Sequence, residues 1–178
     1  TVIGPRDASA VTGRPVTATS PVIVVNAPSG RPVTALASRG PITVLTVHSS
    51  RMLAQSGFMA RLFEIFGRLG VSVDLVATAE NSVSLTVNAG APLGPLMGEL
   101  RQFSTIHVAE KRAIVAVVGE RLRSTPRIGA RVFTALEDIN VEMISMGSSE
   151  INLSLVVREE EAGPAVQRLH KAFMENGA

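Results

Sequence analysis

The chain has 178 residues, of which 46% are hydrophobic, and a formal net charge of only +2. Its basic residues are scattered and it has no Trp or Tyr, which argues against a nucleic-acid-binding protein. The absence of cysteine excludes a disulfide framework and thiolate metal sites and fits a cytoplasmic protein, and no apolar run approaches the roughly 18 residues that span a bilayer.

Residues 1–32 are predicted to be a linker, because they are rich in Pro, Gly, Ser, Thr and Ala. Within this segment, only Val22 to Val25 is typical of a short strand. The chain opens with Thr1 rather than Met, so we expect it to be part of a longer protein. Five prolines interrupt any long helix here: Pro5, Pro15, Pro21, Pro28 and Pro32.

From Val33 onward, apolar periodicity predicts alternating strands and helices. The stretch ITVLTVHS is apolar on both faces, which is typical of a central strand. The helix that follows begins near Gln55, has one broad apolar face and ends before Gly70. In chain order we predict strands at 33–37 and 42–49, a helix at 55–68, a hairpin of strands at 71–78 and 82–87, a helix at 95–103 and a strand at 105–110.

The pattern then repeats, because a shift of 70 residues aligns the chain with itself without a gap. Phe63 falls on Phe133 and Glu80 falls on Glu150. The second unit ends in a helix at about 162–174 and lacks a fourth strand, which the stretch VTALA at 33–37 is placed to supply. The first unit would then be inserted into the second.

Each unit has the order β-α-β-β-α-β, the ferredoxin-like arrangement of a four-stranded antiparallel sheet with two helices on one face. The predicted fold class is therefore α+β. We expect that the apolar strand residues cannot all face the helices, so the two units should pair within or between chains. The residues concerned are Leu45, Val47, Val73, Leu85 and Val87.

A candidate binding site lies in the loop HSSRMLAQSGF, before the first helix. Gly57 allows close approach to the backbone, and the amides from Ser56 to Met59 lie at a helix N-terminus, where partial positive charge favours a carboxylate. Asp74, on a strand that we expect to neighbour the first strand, offers an acid for an ammonium group. Together these groups describe an amino-acid site. The alternative is structural: Gln55 or Ser56 caps the helix, and Asp74 is an exposed strand residue.

Other kinds of site are less well supported. His48, His107 and His170 are expected to lie far apart without carboxylate partners at ligand spacing, so we predict neither a metal site nor a catalytic histidine. The sequence has no phosphate loop, dinucleotide fingerprint or nucleophile elbow. Without a set of acid, base and nucleophile, this chain is not expected to be an enzyme by itself.

The stretch HSSRMLAQSGFMARLFEIFGRLGVSVDLVATAENSVSLTV resembles the first ACT domain of aspartate kinases, especially lysine-regulated ones. The family pattern is Ser-x-x-Met-Leu, then Gly-Phe-Leu-Ala, then Val-Asp-Leu-x-x-Thr-Ser-Glu-Val. The stretch GARVFTALEDINVEMISMGSSEINLSLVV resembles the second ACT domain of the same enzymes. Leu169, His170 and Phe173 match the family's C-terminal Leu-His-x-x-Phe ending, and the resemblance runs from about Val33 to Met174.

The resemblance implies a regulatory domain pair that follows a kinase domain, which phosphorylates aspartate with ATP and Mg at the start of lysine, threonine and methionine biosynthesis. Residues 1–32 would be the linker, 42–111 the first ACT domain, and 33–41 with 112–178 the second. The family also implies a homodimer through the first ACT domains, with an inhibitor amino acid at the interface. No cofactor, nucleic acid or membrane is expected for this chain.

Carried over residue by residue, six positions match the family's inhibitor site: Met52, Gly57, Phe58, Met59, Val73 and Asp74. Glu80 matches the glutamate of the family's Thr-Ser-Glu-Val run. With the loop residues Gln55 and Ser56, and with Ala79, these positions make up the predicted ligand-binding set.

The chain departs from the family pattern at one turn, where Thr-Ser-Glu-Val is replaced by Thr78-Ala79-Glu80-Asn81. Ala79 lacks a hydroxyl that helps to hold the ligand, and the loss of such a hydrogen bond costs about 1 kcal/mol. Lysine is the expected ligand. Three alternatives stay open: threonine as ligand, a dimerisation module without a ligand, and an ACT regulator of another enzyme such as a fused decarboxylase or dehydrogenase.

Overall fold

The computed structural model describes residues 23–26, 32–52, 56–147 and 149–175, with only the backbone described at 23–26 and at Arg51. The predicted linker therefore lies almost wholly outside the described residues, as does Gln55 at the predicted helix start. The strands and α-helices are β1 Ile23–Asn26, β2 Val33–His48, α1 Phe58–Arg68, β3 Val73–Thr78, β4 Ser82–Asn88, α2 Leu93–Leu100, β5 Thr105–Gly119, α3 Ile128–Ala135, β6 Met143–Met146, β7 Asn152–Arg158 and α4 Ala162–His170.

Two long strands, β2 and β5, run through both units. The strands predicted at 33–37 and 42–49 are the two halves of β2, and β5 likewise extends the strand predicted at 105–110 as far as Gly119. They pair antiparallel, from Val33 opposite Gly119 to His48 opposite Thr105, with irregular register between Arg39 and Val44. The chain therefore passes from one unit to the other within each of these two continuous strands.

The first unit has the strand order β5-β2-β4-β3. Leu45 and Val47 of β2 pair with Leu85 and Val83 of β4, so their side chains share one face of the sheet. That face packs against α1 and α2, and Leu62, Leu96 and Leu100 are fully buried there. The expectation that the apolar strand residues cannot all face the helices is wrong, because their register places them on one face: Leu45, Val47, Val73, Leu85 and Val87 all belong to this helix-side core.

The second unit has the order β2-β5-β7-β6, and the first half of β2 is its fourth strand. Leu36 of the stretch VTALA lies opposite Val117 and is fully buried. The core beneath α3 and α4 includes Val132, Leu155 and Leu169. The predicted α+β fold of two ferredoxin-like units, the first inserted into the second, is confirmed. β1 pairs with β2 on the side away from β5, from Ile23 opposite Ser38 to Asn26 opposite Ala35.

The faces of the sheets that point away from the helices pack against each other within the chain. Val44 and Ile42 of the first unit belong to one buried cluster with Ile114, Met143 and Val156 of the second. The expected pairing of the two units is therefore present within one chain. This packing fixes the edge strand β3 of the first unit close to β6 of the second.

Candidate functional site

The start of α1 is open to solvent. Gly57 lies in the left-handed region with a φ of 90°, precedes the first helical residue and is exposed, as is Ser56. Within the described residues, no side chain caps the first turn, so capping by Ser56 is wrong, while Gln55 lies outside the described residues. With respect to the described residues, the first-turn amides therefore remain available to an anionic group.

Buried side chains hold this helix start in place. Phe58 is 8% exposed, and its ring contacts the Phe103 ring edge-on at 5.7 Å between centroids. Met52 and Met59 are half-buried and pack against the same helix-side core. These apolar contacts orient the exposed amides at Gly57 without occupying them.

Asp74 lies near the beginning of β3, at an irregularity in the strand. Val73 pairs with Val87 but Val76 pairs with Leu85, so β3 has one extra residue between them. The Leu75 amide donates instead to the buried Thr86 Oγ1 at 2.9 Å. The Asp74 carboxylate accepts a hydrogen bond from the Arg39 guanidinium and forms an ion pair with it. Asp74 is thus an exposed strand residue, as the structural alternative expects, and its carboxylate is paired with Arg39.

Asp74 does not meet the start of α1 within one chain. The expectation that β3 neighbours β2 is wrong, because β4 lies between them. Val73, next to Asp74, pairs with Val87 of β4, and Val87 in turn pairs with Thr43 of β2. The chain leaves β2 toward α1 at His48, which is the other end of this paired region. Four to five residues of strand separate these two positions, which is roughly 15 Å at the rise of an extended chain.

The hairpin turn between β3 and β4 lies at the same end of the unit as α1. The Ser49 amide, just after β2, donates to the Asn81 carbonyl at 2.9 Å. Ala79 donates its amide to the Ser82 carbonyl at 2.9 Å, and both Ala79 and Glu80 are exposed. The structure therefore gathers the predicted site residues into two groups. One group, at the α1 end, contains Met52, Ser56, Gly57, Phe58, Met59, Ala79 and Glu80, and the other, at the opposite end of β3, contains Val73 and Asp74.

A shallow cleft of about 300 Å³ also lies where β2 ends and β5 begins. It is lined by His48, Ser49, Ser50, Arg101, Gln102, Phe103, Ser104 and Thr105. The histidines are less separated than expected, because β2 and β5 are neighbours: the rings of His48 and His107 are in edge-on contact at 5.4 Å. His170 also has a carboxylate partner, with Nδ1 3.0 Å from Glu175 Oε1.

Arg39 is the site residue that sequence reasoning missed. It precedes Asp74 by 35 residues and belongs to the part of β2 that pairs with the second unit, opposite Ile114. No pattern of spacing indicates this contact, because it depends on the strand irregularity at Asp74 and on how the two units pack.

Two other classes of site, a metal centre and a membrane-spanning helix, are absent from the described residues. No three His, Asp or Glu side chains there are grouped so as to hold a metal ion. No helix in the same part of the chain has both the length and the apolar character needed to cross a membrane.

Comparisons with known proteins agree on one family. Residues 115–173 match the ACT domain family. The chain is 38% identical to aspartokinase 1, chloroplastic, of Arabidopsis thaliana over 156 residues, which is 82% of this chain and 27% of that protein. The chain thus spans about a quarter of the length of that curated relative.

Solved structures give the same result. The fold matches Escherichia coli aspartokinase III in complex with lysine and aspartate, described as its T-state, with a TM-score of 0.72 and 38% identity, over 80% of this chain and 33% of that one. It also matches a structure described as a C-terminal regulatory domain of aspartate kinase from Porphyromonas gingivalis, with a TM-score of 0.69 and 34% identity, over 78% of this chain and 95% of that one. The chain therefore belongs to the family of aspartate kinase regulatory regions built from ACT domains.

Proposed function

We propose that this chain is the lysine-binding regulatory part of an aspartate kinase, and that bound lysine inhibits phosphorylation of aspartate by the attached kinase domain. Two features support lysine: an acid at Asp74 for an ammonium group, and open helix amides at Gly57 for a carboxylate. The matched Escherichia coli aspartokinase III is described in complex with lysine. ATP and Mg would act in the kinase domain rather than in this chain, and the cytoplasmic location stays a prediction.

The observation that carries this proposal is the place of Asp74 on an edge strand. In the described sheet β3 has a neighbour on one side only, so a second copy of the chain can pair with it. Antiparallel pairing about a two-fold axis places the beginning of one β3 beside the end of the other. Thr78, at the end of β3, pairs with Val83 of β4, which pairs with Val47 of β2. Val47 is one residue before the end of β2, where the chain turns toward α1.

A homodimer through β3 would therefore bring Asp74 of one chain to the end of the partner's sheet at which the partner's α1 starts. Each of the two equivalent sites would hold the ligand's carboxylate on one chain and its side-chain ammonium on the other. Lysine binding then stabilises one arrangement of the paired units relative to another, and the kinase domain responds to that arrangement. We propose residues 42–111 and residues 33–41 with 112–178 as the two domains that rearrange.

Calorimetric titration of lysine and threonine into the chain tests the proposal, with the mass in solution measured by light scattering. A true ligand at 100 times its dissociation constant adds about 2.7 kcal/mol to the free energy of unfolding. Asp74→Ala should weaken lysine binding by about 10- to 100-fold, because it removes a charge-assisted hydrogen bond. Ile144→Ala, at the equivalent exposed strand position of the second unit, is the matched control and should leave the affinity unchanged.

A second candidate function follows from Ala79, which lacks the family's hydroxyl at the exposed turn. Heat from threonine but not lysine would make this a threonine-regulated protein. No heat from either amino acid, together with a dimeric mass, would favour a dimerisation module that has lost its ligand. A monomeric mass in the presence of lysine would contradict the two-chain site.

A further inference from the structure

The ion pair at Asp74 connects the two units of the chain. Asp74 lies on β3 of the first unit, whereas Arg39 lies on the half of β2 that completes the second unit's sheet. The two side chains are 31% and 33% exposed, so both the pair and any ligand that approaches it are partly in contact with water. The carboxylate that the proposed function assigns to lysine therefore already has a cationic partner.

The backbone around Arg39 is closely held, so its side chain is the part that can move away. Arg39 lies opposite Ile114 in the sheet. A methyl group added to the next residue, Gly40, would lie 3.0 Å from the Ala113 Cβ and 3.2 Å from the Arg112 carbonyl oxygen. Only glycine fits this approach without displacement of β5.

An ammonium group that binds Asp74 meets Arg39 in one of two ways. Arg39 Nη2 contacts Oδ2 of the carboxylate, so a ligand on that oxygen either displaces the guanidinium or shares the oxygen with it, beside its positive charge. A ligand on the other oxygen would instead lie within a few ångströms of a second positive charge and be repelled by it. Both geometries make binding of a cationic side chain less favourable. An amino acid with a neutral side chain places no side-chain charge beside Arg39 and is not affected in this way.

We propose that Arg39 is an internal competitor for Asp74, which weakens the site for lysine and so sets the concentration at which the effector binds. This inference rests on the proposed lysine site. Binding at the first unit then releases a side chain that belongs to the second unit's sheet, so occupancy of the site is coupled to the contact between the units.

The test is calorimetric titration of lysine into the wild-type chain and into Arg39→Gln. Exposed ion pairs of this kind correspond to changes of about 1.5- to 5-fold in an equilibrium constant, so Arg39→Gln should bind lysine tighter by that factor. Arg68→Gln is the matched control, because it removes one positive charge from the first unit, which carries Asp74, but Arg68 pairs with Glu99 instead. Its affinity for lysine should equal that of the wild type. Norleucine, which lacks the side-chain ammonium group of lysine, should show no gain with either variant.

The outcomes separate this inference from the proposed function. Equal or weaker lysine binding by Arg39→Gln, with clear binding by the wild type, overturns the competitor role and leaves the lysine site standing. Binding only by Arg39→Gln supports the competitor role in its strongest form. No binding by the wild type or either variant overturns both proposals. If Arg39→Gln fails to fold, Arg39→Met keeps the length of the stem and gives the same comparison.

Discussion

The two units share a backbone at the candidate site but differ in its chemistry. Gly57 begins α1 with a φ of 90°, and Arg127, 70 residues later, begins α3 with a φ of 64°. Both helices start without a side-chain cap among the described residues. The acid does not repeat, because Asp74 corresponds to Ile144, whose apolar side chain is 45% exposed.

This comparison between the units separates a feature of the fold, the left-handed residue before the helix, from a feature of the candidate site, the acid at Asp74. A left-handed residue before the helix occurs in both units, so it belongs to the way this fold turns from strand into helix. It does not by itself indicate a ligand. The acid at Asp74 occurs at the edge strand of the first unit only, which favours the first unit as the ligand-binding one. In the second unit the nearby acid, Glu142, lies before β6 and is held 2.7 Å from Arg112.

The largest expected effects test whether the two cores unfold together. Leu85 and Leu155 occupy equivalent positions in β4 and β7 and are both fully buried. Replacing either by alanine should lower the free energy of unfolding by about 2–5 kcal/mol, because each leaves a cavity in its core. The shared cluster between the sheets joins the cores, so denaturant unfolding followed by circular dichroism should remain a single transition in both variants.

Two separate transitions in Leu85→Ala, with the second at the wild-type midpoint, would contradict this coupling. The units would then be independent in stability, although they share β2 and β5.

A smaller effect on stability should come from replacing the left-handed residue that precedes each helix. Gly57→Ala should lower the free energy of unfolding by about 1–2 kcal/mol, because an L-residue is strained in the left-handed region. A methyl group at Gly57 would meet no atom of the described residues within 4 Å, so the expected cost is one of backbone conformation. Arg127→Gly relieves the same strain in α3 and should be neutral or slightly stabilising. Thermal unfolding measures both variants, and a gain in stability from Gly57→Ala would show that the loop relaxes out of this conformation.

The repeat made most of the fold predictable from the sequence. The stretch VTALA at 33–37 could be assigned to the second unit because that unit lacked a fourth strand, and the structure places it opposite β5. The strand order within a unit was harder to predict, since chain neighbours are natural candidates for sheet neighbours. In this topology β4 returns between β2 and β3, which moves Asp74 to an edge and away from the helix start.

The chemistry of the site was predictable only in part. Gly57 stands out in a sequence because glycine tolerates a left-handed backbone, whereas Arg127 adopts the same conformation with no such signal. The partner of Asp74 could not be predicted, because the contact with Arg39 joins residues from different units across an irregular strand. Local residue patterns carry no information on such packing.

The smallest expected effect compares one acid from each unit as the pH falls. Arg158 donates hydrogen bonds of 3.1 and 2.8 Å to Glu161, which hold the pKa of that carboxyl below its ordinary value of 4.5. In the first unit a hydrogen bond from Arg68 likewise lowers the pKa of Glu99. A carboxyl with a lowered pKa in the folded state stabilises the fold above its unfolded pKa, and this contribution is lost as the pH falls through the folded pKa.

Glu161→Gln should therefore lower the melting temperature at pH 7 by about 1–3 °C and lose this difference from the wild type progressively as the pH falls below 4.5. Glu99→Gln should show a smaller difference at pH 7, because its side chain is 30% exposed whereas that of Glu161 is 15% exposed. Scanning calorimetry across this pH range gives both values. A difference that persists undiminished at pH 3 would mean that Glu161 stabilises the start of α4 through packing rather than through its charge.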